Sequence, residues 1–354
     1  MRIAITGASG NVGTALLKAL ADDPRTRDHS VVGLSRREPP DAGIEWRTVD
    51  LAEESSSETL RETFADADAV VHLAVAFQPM RERGYLRRVN VGGTRRVAEA
   101  CAAAGVGHLV HMSSSGIYAA GAYGRRVDET FSRAGVASST YSMDKAAEED
   151  VLDAFEAENR EVAVARVRPG MIGQYAFGSA VLRYALPDII PSSVVNYVPL
   201  LPIDPKFVIP AVHSDDVADA VKRILERSAT GAFNLAADEP ARAVDVADAL
   251  GARQVPVPYR ALTAAVRAGF STHLLPIHHG WVDLAFNTPL LDTSRAREIL
   301  QWQATVDGPQ VLRETVAGMR AQASGPSAPL RERSTIDRLT SFARRGFLSR
   351  GKRP

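Results

Sequence analysis

Six short apolar runs in the first half of the chain, RIAIT, SVVGL, IEWRTV, AVVHLA, HLVHMS and VAVARV, are separated by polar or helical segments. The helical ones, NVGTALLKALADD, LRETFADA, NVGGTRRVAEACAAAG and YSMDKAAEEDVLDAFEAEN, carry apolar residues every three or four positions. Consecutive apolar positions suit strands covered on both faces, and three-to-four spacing suits the helices that cover them. The alternation predicts βαβ units on a parallel sheet, an α/β doubly wound fold.

The texture changes after Arg168-Pro169-Gly170. Residues 175–210 are rich in Pro and large aliphatics, with no clean period. Order returns at VHSDDVADAVKRILERS, where Ser214 or Asp215 is the expected helix cap. GAFNLAA, VDVADALG, RQVPVP and DTSRAREILQW follow, the last starting with Asp292, Thr293 or Ser294 as a cap. The expected organisation is a dinucleotide-binding domain over 1–170 with a return around 211–235. A smaller, interleaved α/β substrate domain covers mainly 171–321, and a flexible basic tail covers 322–354.

That tail holds eight Lys or Arg against two Asp or Glu, although acidic and basic residues balance at 42 each over the chain. The overall balance argues against a nucleic-acid partner. ASGPSAPLRERS, from Ala323, reads as linker. Beyond it, Ile336, Leu339, Phe342 and Ala343 could form one face of a short basic helix for a partner or membrane surface, with a disordered tail as the plainer reading. No run of eighteen apolar residues predicts a membrane span, and the N-terminus lacks a signal-type apolar core, so a cytoplasmic protein is expected. The lone Cys101, in an Ala-rich helical run, is expected to be packed and inert.

ITGASGNVG places Gly7, Gly10 and Gly13 between the first strand and the first helix. Glycine permits positive φ at the turn, close approach of a ligand and close packing of helix on sheet, while the helix N-terminus offers unpaired N–H groups to a phosphate. Ser9, Asn11 and Val12 complete the candidate cradle. At the end of the second strand, Ser35, Arg36 and Arg37 stand where a carboxylate would hold the 2′-hydroxyl of NAD. A guanidinium there suits a 2′-phosphate, so NADP(H) is favoured over NAD(H). Asp50 and Leu51 are candidates for the adenine, and Leu73, Ala74 and Pro169, at two further strand ends, are candidate cofactor contacts.

HLVHMSSSGIY ends a strand in three hydroxyls, Ser113, Ser114 and Ser115, at the sheet edge where ligands of open α/β folds bind. Tyr141 and Lys145 follow at i, i+4, on one helix face. The chain has thirty-seven Arg and five Lys, yet the base here is Lys. A phenol titrates near pH 10, and a neighbouring ammonium favours its ionised form, which suits proton transfer near neutrality. The adjacent His278 and His279 point apart with no third ligand spaced nearby, so no metal site is expected. His72 and His111 read as packed within strands, and Asp215 and Asp216 as helix-capping residues.

Together, TGASGNVG, DADAVVHLA, NVGGT, HMSSSGIY, YSMDK, ARVRPGMIG and VHSDDVADAV resemble the extended short-chain dehydrogenase/reductase family, also described as the NAD-dependent epimerase/dehydratase family. The resemblance, over residues 1–320, implies a Rossmann core with a smaller C-terminal substrate domain. It also implies Tyr141 as general acid/base, Lys145 as ribose holder and tuner of the tyrosine, and Ser114 as donor to the substrate oxygen. Asn90, in NVGGT, would shape the site floor and belongs with the cofactor contacts. The family often dimerises. SSSGIY lacks the Asp-Glu pair of sugar-nucleotide dehydratases, and the apolar 175–210 wall favours a less polar carbonyl or alcohol. The expected activity is NAD(P)-dependent oxidoreductase or epimerase chemistry on a small molecule. The alternatives are a nucleotide-sugar epimerase with tightly bound NAD and a non-catalytic NADP-sensing regulator. An enzyme is expected to tolerate loss of 323–354, and a tail-operated sensor to lose its partner.

Overall fold

The computed structural model describes all residues except 41–42, 77–81, 188–189 and 334–354. The candidate basic helix carrying Ile336, Leu339, Phe342 and Ala343 lies outside the described residues. Seven parallel strands form the central sheet: β1 (Arg2–Thr6), β2 (Ser30–Ser35), β3 (Glu45–Thr48), β4 (Ala69–His72), β5 (His108–Met112), β6 (Ala163–Pro169) and β7 (Gly231–Leu235). Their spatial order is β7-β6-β5-β4-β1-β2-β3, so the chain reverses direction of travel between β1 and β4. That order is the Rossmann-type doubly wound arrangement, whose ligand crevice opens at the reversal point.

Both faces of the sheet are covered, which is why its strands are apolar at consecutive positions. One face buries Ile3, Ile5, Val71, Val110 and Phe233 against α1 (Asn11–Asp22) and a second helix, described below, over Ser214–Arg227. The other buries Ala4, Val32, Val70 and Leu109 under α2 (Ser56–Phe64), α3 (Gly93–Ala104) and α4 (Thr140–Glu158). Cys101 lies in this second cluster, fully buried, and burial pushes its thiol pKa up.

Beyond β6 the chain builds α5 (Gly178–Ala185), then returns to the sheet through α6 (Ser214–Arg227) and β7. The cap of α6 differs from the expected Ser214 or Asp215: His213 holds the position, its Nδ1 accepting the Asp215 N–H at 3.2 Å. Asp216 instead accepts from the Thr305 backbone and hydroxyl at 3.0 and 2.7 Å and from Val306, tying a distant loop to the helix. Small two-stranded pairings, such as Leu200–Ile203 with Arg253–Pro256, and helices including α7 (His279–Ala285) and α8 (Gly308–Ala321) stand beyond the carboxyl ends of the strands.

The stretch from Ala323, read as linker, departs from that expectation as far as Arg333. Its backbone and side chains bond to α5 and to the glycine loop, and Leu330 and Arg333 are buried. Local polarity and Pro/Gly content pointed to a flexible segment. Contacts with residues more than 140 positions away decide otherwise.

Candidate active site

At the reversal point Gly7 takes φ 72°, and a Cβ there would lie 2.7 Å from the Ala74 backbone nitrogen. Only glycine lets the ends of β1 and β4 approach this closely. The next turn enters α1, whose cap, Gly10, offers no side chain, so the first-turn N–H groups of Asn11, Val12 and Gly13 have no intrahelical acceptor. Ser9, Gly10, Asn11, Val12 and Gly13 line a cavity of about 850 Å³. A dinucleotide fits this cradle: small residues against the backbone, unpaired amides at a helix start, and length along the sheet edge.

Toward β2 the cavity is lined by Ser35, Arg36, Arg37, Asp50 and Leu51. Arg36 Nη1 donates to the Tyr85 hydroxyl at 3.0 Å, which anchors an otherwise exposed guanidinium. Asp50 accepts the Ala52 N–H at 2.9 Å, and Arg96 donates to the Leu51 carbonyl, fixing the loop after β3. Leu73, Ala74 and Pro169 also reach the cavity. Asn90, expected among the cofactor contacts, is buried and is not among the residues that line the cavity. Its side chain accepts the Ala76 N–H at 2.8 Å, donates to the Ala76 carbonyl at 3.0 Å and to Asp144 at 3.2 Å. A buried amide has to satisfy its own polar atoms, and this one does so by clamping the loop after β4.

Toward β5 the lining is Ser113, Ser114, Ser115, Tyr141 and Lys145. Ser139 caps α4 by accepting the Ser142 N–H, and Ser142 Oγ donates to the Gly116 carbonyl at 2.5 Å, which locks the first turn of α4 to the end of β5. A Cβ on Gly116 would meet Ser114 Oγ at 3.2 Å and Tyr141 Cε1 at 3.4 Å, so the two side chains flank one spot. Ser114 Oγ accepts the Gly116 N–H at 3.0 Å, which leaves its proton for a ligand.

Lys145 is buried, with Nζ donating to the Met112 carbonyl at 2.8 Å and to Glu148 at 2.7 Å. An ammonium has three protons, so one is left over for the cavity. Burial works against its charge, but Glu148 and the nearby Tyr141 outweigh it and hold its pKa above that of an ordinary lysine. Behind Glu148 stands His111, 3.1 Å away, then His72 with ring centroids 5.3 Å apart. His72 bridges Thr6 and Thr94 at 2.6 and 3.1 Å. Burial holds both imidazoles well below their usual pKa, so they are neutral.

A second buried cluster organises the serine segment. Glu149 accepts from Ser113 at 2.5 Å, from Arg168 at 2.5 and 2.9 Å and from Arg133 at 3.1 Å. Burial opposes its charge, yet these donors, led by Arg168, bring its pKa down to about 2. Tyr118 is the other phenol nearby; burial pushes it up to about 12, and its hydroxyl donates to Asn234 at 2.6 Å. It is a structural residue by those contacts.

The sequence reading missed one wall. Trp281, on α7, stacks on Tyr141 with ring centroids 5.0 Å apart and planes at 30°. Leu284, Ala285 and Thr288 also line the cavity, as do Phe177, Leu186, Ile209 and Pro210 of the apolar 175–210 stretch. His278 caps α7 by accepting the Gly280 N–H at 3.1 Å, and its ring lies 4.0 Å from that of His279 rather than pointing away from it as expected. The general signal was available, an aromatic in a short helix after a possible cap, but nothing local links it to Tyr141.

A doubly wound parallel sheet, a glycine cradle at its reversal point and a Tyr–Lys helix at the adjoining edge together define a dinucleotide-binding fold of the Rossmann type. The family model described as "NAD dependent epimerase/dehydratase family" matches residues 3–236, and the chain belongs to that family. L-arabinose 1-dehydrogenase (NAD(P)(+)) of Haloferax volcanii is 38% identical over 117 residues, 33% of this chain and 42% of that protein. 2-Alkyl-3-oxoalkanoate reductase of Stenotrophomonas maltophilia is 30% identical over 120 residues, 33% of this chain and 34% of that protein. The chain thus spans less than half the length of these relatives. UDP-glucose 4-epimerase of Thermotoga maritima, solved with UDP-glucose, superposes with a TM-score of 0.68 at 16% identity, covering 91% of this chain and 99% of that one. The Thermus thermophilus UDP-glucose 4-epimerase complex with NAD gives 0.66 at 21% identity, covering 90% and 99%. These likenesses establish the fold. Among the described residues no helix is long and apolar enough to cross a membrane.

Proposed function

We propose that the protein is an NADP(H)-dependent oxidoreductase acting on a carbonyl or alcohol carbon of an apolar small molecule. The observation that carries the reading is the meeting of Ser114, Tyr141 and Lys145 on one wall of the cavity that the glycine loop floors. Bound nicotinamide would supply or accept the hydride. Tyr141 gives or takes the proton on the substrate oxygen, and Ser114 donates a hydrogen bond to that oxygen as charge develops. Lys145, pinned by Met112 and Glu148, turns its third N–H to a ribose hydroxyl and its charge to the phenol.

Arg36, anchored by Tyr85, and Arg37 support NADP(H) over NAD(H), since two guanidinium groups suit a 2′-phosphate. Trp281, Leu284, Leu186 and Ile209 support an apolar substrate. The partial relationship to a reductase of 2-alkyl-3-oxoalkanoates agrees with that class. Comparing the melting temperature with NADPH and with NADH, then adding aliphatic ketones or UDP-sugars to the cofactor-loaded protein, tests the reading, because a ligand of the folded state stabilises it by mass action. The larger shift is expected with NADPH, with ketone-dependent NADPH oxidation. Stabilisation by UDP-sugars on NAD-loaded protein, without net NADH formation, would point to an epimerase instead.

A further inference from the structure

Residues 322–333 leave α8 and bind three separate parts of the cavity wall. The Gln322 carbonyl accepts from Ser179 Oγ at 2.7 Å, and the Ala323 carbonyl accepts the Ser179 N–H at 2.9 Å, which fixes the strap to α5. Ser327 is 1% exposed and donates to the Ser9 carbonyl at 2.7 Å, inside the glycine loop and 318 positions earlier in sequence. The Gly325 N–H bonds the Leu330 carbonyl at 2.8 Å, and the Leu330 N–H bonds the Ser327 carbonyl at 3.0 Å, closing a compact turn around the buried Leu330. Arg183 donates to the carbonyls of Ala328 and Pro329. Arg333 donates to the carbonyls of Pro187 and Ile190 at 2.6 and 2.7 Å. Ala328, Pro329, Arg331 and Arg333 line the same cavity as Ser9, Gly10 and Asn11.

We propose that this strap is a third wall of the dinucleotide site, and that Ser327 is a positioning residue for the glycine loop. The proposal rests on the dinucleotide reading given above and goes beyond it by assigning cofactor affinity to residues that follow α8. The peptide between Ser9 and Gly10 is planar, so a bond that fixes the Ser9 carbonyl fixes the plane from which the chain enters α1. The cradle amides of Asn11, Val12 and Gly13 are then held in place before a ligand arrives, which lowers the ordering cost of binding. Arg331 and Arg333 add positive charge to a cavity whose ligand carries phosphate.

The test is a titration of NADPH and NADH, followed by nicotinamide fluorescence, with stopped-flow release, on five proteins: the full chain, Ser327→Ala, Ser327→Thr, a chain ending at Arg333 and one ending at Gln322. Ser327→Ala is expected to bind NADPH about fivefold more weakly and to release it faster, the scale of one lost hydrogen bond. Ser327→Thr, which keeps the hydroxyl, restores binding. The chain ending at Arg333 binds like the full chain, and the one ending at Gln322 loses tenfold or more. If that shortest chain does not fold by circular dichroism, the Ser327 pair decides. Full-chain affinity in Ser327→Ala overturns the proposal, as does a loss already complete in the chain ending at Arg333. A full chain that binds neither dinucleotide defeats the underlying reading, a result distinct from both.

Discussion

Trp281 lies stacked on Tyr141, its ring 5.0 Å from the phenol ring and 30° from parallel, although the two residues sit on helices 140 positions apart. Gly280 makes the approach possible: a Cβ there would fall 2.2 Å from the carbonyl of Ser138, two residues before α4. The indole therefore orients the phenol and forms part of the substrate wall. Trp281→Ala should lower kcat/KM about three- to tenfold, as expected for an aromatic pair contributing about 0.5–1.5 kcal/mol. Trp281→Phe should recover most of it. Steady-state kinetics with a parallel cofactor titration checks this, and NADPH affinity should not move.

On the proposed NADP(H) reading, cofactor choice turns on Arg36. Arg36→Ala should weaken NADPH binding about tenfold or more, since hydrogen bonds to charged groups contribute about 1.5–3 kcal/mol. NADH binding should change less than about twofold. Tyr85→Phe removes the hydroxyl that anchors the guanidinium at 3.0 Å and should give a smaller loss of the same selectivity. Parallel titrations with both cofactors measure the ratio.

The Glu149–Arg168 pair sets an acid limit on stability. Its folded pKa is depressed, about 2 against an ordinary 4.5. A depressed carboxylate pKa means that the unfolded chain binds the proton more readily, so stability rises with pH across that interval. The contribution is complete above about pH 4.5 and is lost as the pH falls toward 2; about 2.5 units corresponds to roughly 3 kcal/mol. Glu149→Gln should flatten that part of the curve and destabilise the protein at neutral pH by about 3–5 kcal/mol, because Arg168 is left buried without its carboxylate. Urea melts at several pH values read both effects.

Gly7→Ala should damage the fold and the cradle together. The residue has φ 72°, and the added methyl would meet the Ala74 backbone at 2.7 Å. Left-handed backbone at a non-glycine residue costs about 1–3 kcal/mol before the clash is counted. Lower melting temperature and weaker NADPH binding should appear in the same variant.

Much of this was legible in the sequence because the informative residues are local. Buried parallel strands carry apolar residues at consecutive positions, the glycine loop is nine residues long, and Tyr141 and Lys145 share a helix face by spacing alone. The remainder depends on partners that lie far along the chain. Lys145 is pinned by Met112 and Glu148, and only the second is its helical neighbour. His213 takes the cap that Ser214 and Asp215 seemed to claim, because the short strand Ala211–His213 runs directly into α6 at Ser214. Residues 323–333 have a linker's composition, and long-range bonds to Ser9, Arg183 and Ser179 fold them.

The central claim is that Tyr141 is the proton donor and acceptor. The direct measurement is NADPH oxidation by Tyr141→Phe with whichever carbonyl substrate the intact protein turns over, alongside its NADPH dissociation constant. Turnover should fall by about 10² to 10⁴, the usual scale of general acid–base catalysis, with NADPH affinity within about twofold of the intact protein. Turnover close to that of the intact protein would contradict the account.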